Sequence, residues 1–389
     1  MSEAANMAPL NQFSAQRAST TEVGQSVVPP APQRIGLFLP NWVGDAAMAT
    51  PALRALRKQF PAASLVGVGR PFLRDLFAGS PWLDDLVDFD PRGSDSSRRG
   101  WPFLQRLRAA RLDTAVLFSN SFRTALWAWA SGARERVGYV RYGRGPLLTT
   151  RLFQKREPRQ IGHWWGRTKW QPSPVLDDYL ALAYALGCPK ESPRLELGTT
   201  PADDQAAADT WQRLGLANRG AVALNSSGAF GAAKLWPREY FVTLARRIVQ
   251  TSNQQVLVIC GPQERELARS IAGECASPRV VSLADEQLSL GLTKSVLRRC
   301  QLLVTTDSGP RHLAAALGVP TVSLFGPTHR AWSENYHPRA IDLQRSVPCG
   351  PCQQRVCPLG HHRCMRELSV NEVLGAVQRL LSSADKAAA

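Results

Sequence analysis

Short apolar runs recur along the chain, each ending abruptly in polar residues, and a helical pattern follows most of them. Arg34 to Leu39 (R-I-G-L-F-L) predicts a strand. The loop P-N-W-V-G-D follows, and Ala46 to Gln59 predicts a helix on which Met48, Leu53 and Leu56 share a face, with Pro51 early in it. Ser64 to Val68, Leu86 to Phe89 and Thr114 to Phe118 predict further strands. Residues 137–170 are rich in Arg, Gly and Trp without a period and read as a long loop region; Val175 to Leu186 reads as a helix and Pro193 to Pro201 as a linker. After a helix at Asp203 to Leu214, the alternation begins again. Strands are expected at Ala221 to Leu224, Val256 to Cys260, Val280 to Leu283, Leu302 to Val304 and Thr321 to Phe325. Between them lie helices at Pro237 to Gln250, Arg265 to Glu274 and Leu288 to Cys300, and a short one after Gly309. Two such series predict an α/β chain built of two doubly wound, Rossmann-like domains facing a cleft. The expected bounds are 34–195 and 202–365, with 366–389 a C-terminal helix and tail. Residues 1–33, rich in Ala, Ser, Gln and Pro, read as a disordered tail or as a start codon placed too early.

In open parallel sheets, ligands bind at the carboxyl ends of the strands, where helix N-termini offer unpaired N–H groups to anions. Three loops there carry polar residues. The first holds Gly44 and Asp45, an acidic group that reads either as a general base or as a helix N-cap. The second, N-S-S-G-A-F-G-A-A-K-L-W-P, offers Ser226, Ser227 and Gly228 to phosphate oxygens and Lys234 as a counter-charge; a solvated loop is the alternative. Its Gly and Lys spacing is not that of a Walker A loop. The third, D-S-G-P-R-H, brings Asp307, Ser308, Gly309 and His312 to one mouth, although Asp307 or Ser308 as a plain cap and Gly309 as a plain turn fit as well. Together the second and third loops would hold a diphosphate between two helix N-termini, an arrangement suited to a nucleotide leaving group.

With 389 residues the chain has room for two or three domains at about 150 residues each. The net charge of +16, mostly Arg, favours anionic partners: a membrane surface, nucleic acid or a phosphorylated substrate. An Arg-rich codon preference accounts for it equally well. No zinc finger or RNA-binding strand motif is present, so nucleic acid is not expected. No apolar run approaches the roughly 20 residues of a membrane span, and the N-terminus lacks the pattern of a signal peptide, which favours the cytoplasm. Cys188, Cys260, Cys275 and Cys300 are scattered among apolar neighbours. Cys349, Cys352, Cys357 and Cys364 cluster, with His361 and His362 beside them; a structural zinc, an iron–sulfur cluster or free thiols all fit the spacing.

The strings P-N-W-V-G-D-A-A-M-A-T-P-A-L-R-A-L, S-N-S-F-R-T-A-L, Y-L-A-L-A-Y-A-L-G, A-A-K-L-W-P and D-S-G-P-R-H-L-A-A-A-L-G-V-P together resemble the ADP-heptose:lipopolysaccharide heptosyltransferases over about residues 34–384. The likeness is strongest to the heptosyltransferase II branch. The resemblance implies a glycosyltransferase B fold, an acceptor-binding N-terminal domain and a nucleotide-sugar-binding C-terminal domain. It implies an inverting transfer of heptose from an ADP-heptose donor to the lipopolysaccharide inner core, peripheral to the inner membrane and with no catalytic metal or other cofactor. On that likeness Asp45 is the base and Lys234 neutralises the departing diphosphate. Ser226, Ser227, Gly228, Asp307, Ser308, Gly309 and His312 hold the donor, Gln263 or Glu264 touches ribose, and the last helix, ending near Leu381, crosses back onto the first domain. The alternatives are a sugar-nucleotide-binding protein without activity, a related transferase using another nucleotide sugar, and a nucleic-acid-binding protein.

Overall fold

Two six-stranded parallel sheets with the same internal strand order form the framework of the computed structural model, which describes residues 31–154, 171–217, 220–228 and 230–388. Nearly all of the expected N-terminal tail, and residues 155–170 of the Arg- and Trp-rich region, lie outside the described residues. The first sheet comprises β1 (Arg34–Phe38), β2 (Ser64–Gly69), β3 (Asp85–Asp88), β4 (Thr114–Leu117), β5 (Glu135–Tyr139) and β6 (Thr150–Leu152), in the order β3-β2-β1-β4-β5-β6. The second comprises β7 (Ala221–Asn225), β8 (Gln255–Ile259), β9 (Val280–Ser282), β10 (Leu302–Thr306), β11 (Thr321–Phe325) and β12 (Ala340–Gln344), in the order β12-β11-β10-β7-β8-β9. In each half the order reverses beside the first strand, between β1 and β4 and again between β7 and β10, which opens a crevice at the strands' carboxyl ends.

The central strands are buried on both faces, so they read as continuous apolar runs rather than alternating ones. All five residues of β7, β10 and β11 are buried. The crossover helices cover them with one apolar stripe each: Leu53 and Leu56 of Thr50–Gln59, and Phe241, Leu244 and Ile248 of Arg238–Thr251.

Three expectations are corrected here. The helix read as Ala46 to Gln59 is two, Val43–Met48 and Thr50–Gln59. Pro51 lies in the first turn of the second, where its missing N–H costs nothing, and Ala49, itself in helical conformation, joins the two. The region read as a loop from 137 onward contains β5 and β6 at the sheet edge, where Arg residues interrupt the apolar pattern. Arg144, fully buried, ties this edge to the neighbouring loop by donating to Tyr139 O at 2.7 Å, to Asn120 Oδ1 at 2.8 Å and to Ser119 O. The last helix, Val370–Ala388, packs on Arg238–Thr251 and on β10 and β11, on the second sheet rather than the first.

Among the described residues the halves meet at several places, one of them a hydrogen bond that Tyr336 Oη donates to Asp177 Oδ2 at 2.8 Å. Val43–Met48 lies against Gly309–Ala316 at the crevice. On the other side, buried Lys294 of Leu290–Arg299 donates to Leu76 O (3.0 Å) and Ala78 O (2.8 Å) of the first half. The linker passes beside it, and a Cβ on Gly198 would fall 1.9 Å from Gly79 O. Among the described residues no helix is long and apolar enough to cross a membrane.

Candidate active site

A cavity of about 450 Å³ lies in the crevice between the two sheets. Gly44, Asp45 and Met48 line it from the first half; Ser227, Lys234, Glu264, Asp307, Ser308, Gly309 and His312 line it from the second. The tight turn from β10 into Gly309–Ala316 delivers Asp307 and Ser308. Ser308 occupies the N-cap position but makes no capping bond; its hydroxyl instead meets Asn225 Nδ2 at 3.0 Å and Thr305 Oγ1 at 3.2 Å. That leaves the amino end of the helix turned to the cavity, where its dipole favours an anion.

Lys234 is buried and donates to Asp307 Oδ2 at 2.6 Å and to Asp307 O at 2.8 Å. Thr328 Oγ1 donates to the same Oδ2 at 2.7 Å. Burial alone would raise the Asp307 pKa, but the Lys234 charge and these hydrogen bonds outweigh it and hold the carboxyl ionised, well below the usual range. Phe230 lies under Lys234, 4.8 Å from ring centroid to Nζ.

Asp45 is in the first turn of Val43–Met48 with Trp42 at the N-cap, so the capping alternative for Asp45 does not apply. It is half-buried and opens on the cavity. Burial and the nearby Asp307 charge push its pKa up to about 6, with Lys234 pulling the other way. Such a value suits a carboxylate that takes a proton near neutral pH. His312 is buried in the facing helix, and Asn335 Nδ2 meets its Nδ1 at 3.3 Å. Burial, then the Arg311 charge, hold the imidazole neutral, its pKa far below the ordinary value.

The structure therefore brings Asp45, Ser227, Lys234, Asp307, Ser308, Gly309 and His312 together. It does not bring Ser226, Gly228 or Gln263 to the wall. Ser226 follows β7 and points into the interior, because alternate residues of an extended segment face opposite ways, and its Oγ is buried without a partner. Gly228 faces Leu235. Beyond β8 it is Gly261 and Glu264, not Gln263, that reach the wall. The helix Arg238–Thr251 also stands back from it, so of the two helix N-termini expected there only that of Gly309–Ala316 lines the cavity. Trp42, Asn225, Thr293, Thr328, Trp332 and Gln353 line the cavity without having been singled out from the sequence. Asn225 ends a fully apolar strand with an amide, which was the legible signal; the others depend on distant loops.

A second cavity of about 420 Å³ opens at the carboxyl end of the first sheet and shares Trp42 with the first. Arg70, Arg92 and Arg123 line it together with Phe72, Phe89 and Trp127.

The cysteines Cys349, Cys352, Cys357 and Cys364 line a small cavity of about 50 Å³ with His361. Among the described residues, however, no group of three or more His, Cys, Asp or Glu side chains is arranged to hold a metal ion, so the zinc alternative is not supported. The Cys357 sulfur faces the N–H groups of residues 359–362, and Cys349 meets His361 Nε2 only at 3.9 Å. A thiolate zinc site needs four donors within about 2.3 Å of one point.

Two Rossmann-like halves, with a carboxylate of one facing the cation and helix terminus of the other across a crevice, make up a two-lobed fold of the glycosyltransferase B type. The profile of glycosyltransferase family 9 (heptosyltransferase) matches residues 101–363, and the chain belongs to that family. It is 25% identical over 356 residues to a lipooligosaccharide heptosyltransferase 2 of Campylobacter jejuni, covering 90% of this chain and 99% of that one. It is 23% identical to lipopolysaccharide heptosyltransferase 2 of Escherichia coli, covering 88% and 97%. Among solved structures, the ADP-heptose LPS heptosyltransferase II of E. coli superposes with a TM-score of 0.72 at 22% identity over 91% of this chain and 100% of that chain, a likeness of fold.

Proposed function

We propose that this glycosyltransferase moves heptose from ADP-heptose to a sugar hydroxyl of the lipopolysaccharide inner core, with inversion at the anomeric carbon. The observation that carries this reading is the placement of Asp45 opposite Lys234, Asp307 and the amino end of Gly309–Ala316 within one cavity. The diphosphate binds at the helix terminus, with the Ser227 and Ser308 hydroxyls beside it. Lys234, held by Asp307, supplies a fixed positive charge where negative charge grows on the leaving phosphate. The adenosine lies toward Gly261, Glu264 and Thr293.

In the transfer step the acceptor hydroxyl loses its proton to the Asp45 carboxylate as its oxygen bonds to the anomeric carbon. The bond from that carbon to the β-phosphate oxygen breaks, and its electron pair leaves with ADP. Holding both partners in one crevice replaces a bimolecular encounter by an oriented one. The acceptor occupies the second cavity, whose three arginines suit a saccharide bearing phosphate or carboxylate groups and whose aromatic walls suit sugar faces. No cofactor takes part in this reaction. The lipid-linked acceptor brings the enzyme to the membrane surface as a peripheral protein.

The test is ADP release by the purified protein given ADP-heptose with heptose-deficient lipopolysaccharide, against the same mixture without acceptor and against UDP- and GDP-sugars. Acceptor-dependent release from the ADP-sugar is expected. Tight ADP binding with no release under any condition would leave a binding protein instead.

A further inference from the structure

The helices Gly100–Ala109 and Phe122–Ala130 lie side by side on one face of the first sheet. Their inner residues Phe103, Leu107, Ala125 and Ala128 belong to a buried core. Their outer side is unusual for a solvated helix pair. Trp101, Phe122, Leu126 and Trp129 are exposed there by 62%, 49%, 38% and 55%. Phe122, Leu126 and Trp129 follow the spacing i, i+4, i+7 and so form one continuous stripe turned away from the core. Scattered exposed apolar residues need no explanation, but a contiguous aromatic patch does.

Arginine predominates in the chain that carries the stripe. Residues 99–112 carry Arg99, Arg106, Arg108 and Arg111, and residues 121–134 carry Arg123 and Arg134, with no Asp or Glu in either stretch. The acidic groups packed nearby are hydrogen-bonded or paired; Glu135, next to Arg134, accepts from Thr150 Oγ1 at 3.3 Å. Asp95 pairs with Arg98 at 3.0 Å, Asp88 with Arg74 at 3.5 Å, and Asp113 accepts the backbone N–H groups of Gln33 and Arg34. Arg108 ties the two helices into one surface: its guanidinium lies 5.9 Å over the Trp101 ring, and its Nε donates to Ala130 O at 2.9 Å. Trp and Phe among arginines is the composition that settles at the headgroup level of an anionic bilayer, with rings in the interface and guanidinium groups on phosphates.

The position of the surface matters as much as its composition. The same helix, Phe122–Ala130, turns Arg123, Thr124 and Trp127 into the arginine-lined cavity and Phe122, Leu126 and Trp129 outward. A saccharide entering that cavity while still joined to its lipid would leave its anchor beside the stripe.

We propose that the outer face of these two helices docks on an anionic phospholipid surface and sets the mouth of the acceptor cavity against it. The proposal rests on the reading of that cavity as the acceptor site. Full-length protein is floated with vesicles of phosphatidylethanolamine and phosphatidylglycerol, and in parallel with vesicles of phosphatidylcholine alone. Binding to the anionic vesicles is expected to exceed binding to the neutral ones by about tenfold or more at low salt. The variant Phe122→Ser/Leu126→Ser/Trp129→Ser should lower it by about tenfold at every salt concentration, since buried apolar area is lost. Arg106→Gln/Arg134→Gln should lower it at low salt only, because the charge contribution is screened. Absence of vesicle binding by the unaltered protein, or equal binding by both variants, overturns the proposal. So does a dimer that dissociates in the triple variant, or binding of a DNA duplex that both variants abolish while vesicles are ignored. ADP affinity and ADP release with a water-soluble saccharide fragment of the acceptor are measured on the same proteins. They should equal the unaltered protein's in both variants, which also shows that the variants are folded. Failure of the unaltered protein to release ADP on the soluble fragment would instead count against the transferase reading and leave the vesicle result standing.

Discussion

Gly44 and His312 touch across the crevice: a Cβ placed on Gly44 would lie 2.7 Å from His312 Cδ2 and 3.4 Å from Gly309 Cα. Only a residue without a side chain lets Val43–Met48 approach Gly309–Ala316 this closely, and Asp45 is the next residue along. Gly44→Ala should therefore force the halves apart at the site. A displacement of about 1 Å at reacting groups costs roughly 10²-fold in rate. Turnover is expected to fall by about that factor while ADP affinity, which depends on the second half, changes little. Steady-state kinetics beside calorimetric ADP titration checks this; unaltered turnover would show that the close contact has no bearing on transfer.

Asp45→Asn removes the proton acceptor and keeps the shape. Transfer should drop by about 10²–10⁴-fold with ADP binding retained. In the unaltered enzyme the base must be ionised, and its pKa is raised to about 6, so kcat/KM should fall as pH drops below about 6 and level off above it. The variant should lack that limb. Linkage gives an independent readout. A carboxyl whose folded pKa is raised favours folding below its unfolded pKa and loses that contribution as pH rises through about 6. Asp45→Asn should therefore raise the melting temperature at pH 7.5 and leave it nearly unchanged at pH 3.5.

Lys234 and Asp307 are a buried pair, and removing one partner strands the other. Lys234→Met should cost on the order of 3–5 kcal/mol of stability, and the added change Asp307→Asn should recover much of it. Neither variant should recover turnover, because the positive charge at the diphosphate is gone in both. Urea unfolding of the single and double variants, with kinetics beside it, separates the two effects. Equal stability of all three proteins would contradict the geometry. The lowered pKa of Asp307 means that the pair's contribution is present above the unfolded carboxyl range and is lost as pH falls toward the folded value.

Lys294 spans the two halves far from the chemistry, with its ammonium on the carbonyls of Leu76 and Ala78. Burial lowers its pKa, with Asp203, Asp75 and Asp204 working against that. Lys294→Met should leave those carbonyls without their donor and loosen the join, changing kcat and KM together as hinge substitutions do. Kinetics that match the unaltered enzyme would show that the join is rigid without it.

The second half of the site was the most legible part of the chain. In β10 and the segment after it, an apolar run stops at Thr305, the polar string ends in Gly309, and a short helix follows; each step is local, and the structure reproduces the order, with the strand running on to Thr306 and the helix starting at Gly309. Asp45 was legible for the same reason, and so was Lys234. Ser226 and Gln263 stand off the cavity wall because sequence proximity to a strand end does not say which way a side chain turns: one residue of alternation decides it for Ser226, and the path of the turn decides it for Gln263. The cysteine cluster shows a similar limit, since spacing brings the thiols to one cavity without setting their distances.

Hydrophobic periodicity and turn chemistry, both short-range, were enough to determine two wound α/β halves and the loops that carry their polar residues. Only the tertiary structure decided that Asp45 faces Lys234 across a crevice, that Arg144 and Lys294 are buried as ties, and that the stripe Phe122, Leu126 and Trp129 is left outside. Those relations join residues far apart in the chain, and they are set by how whole layers pack, which no local pattern contains.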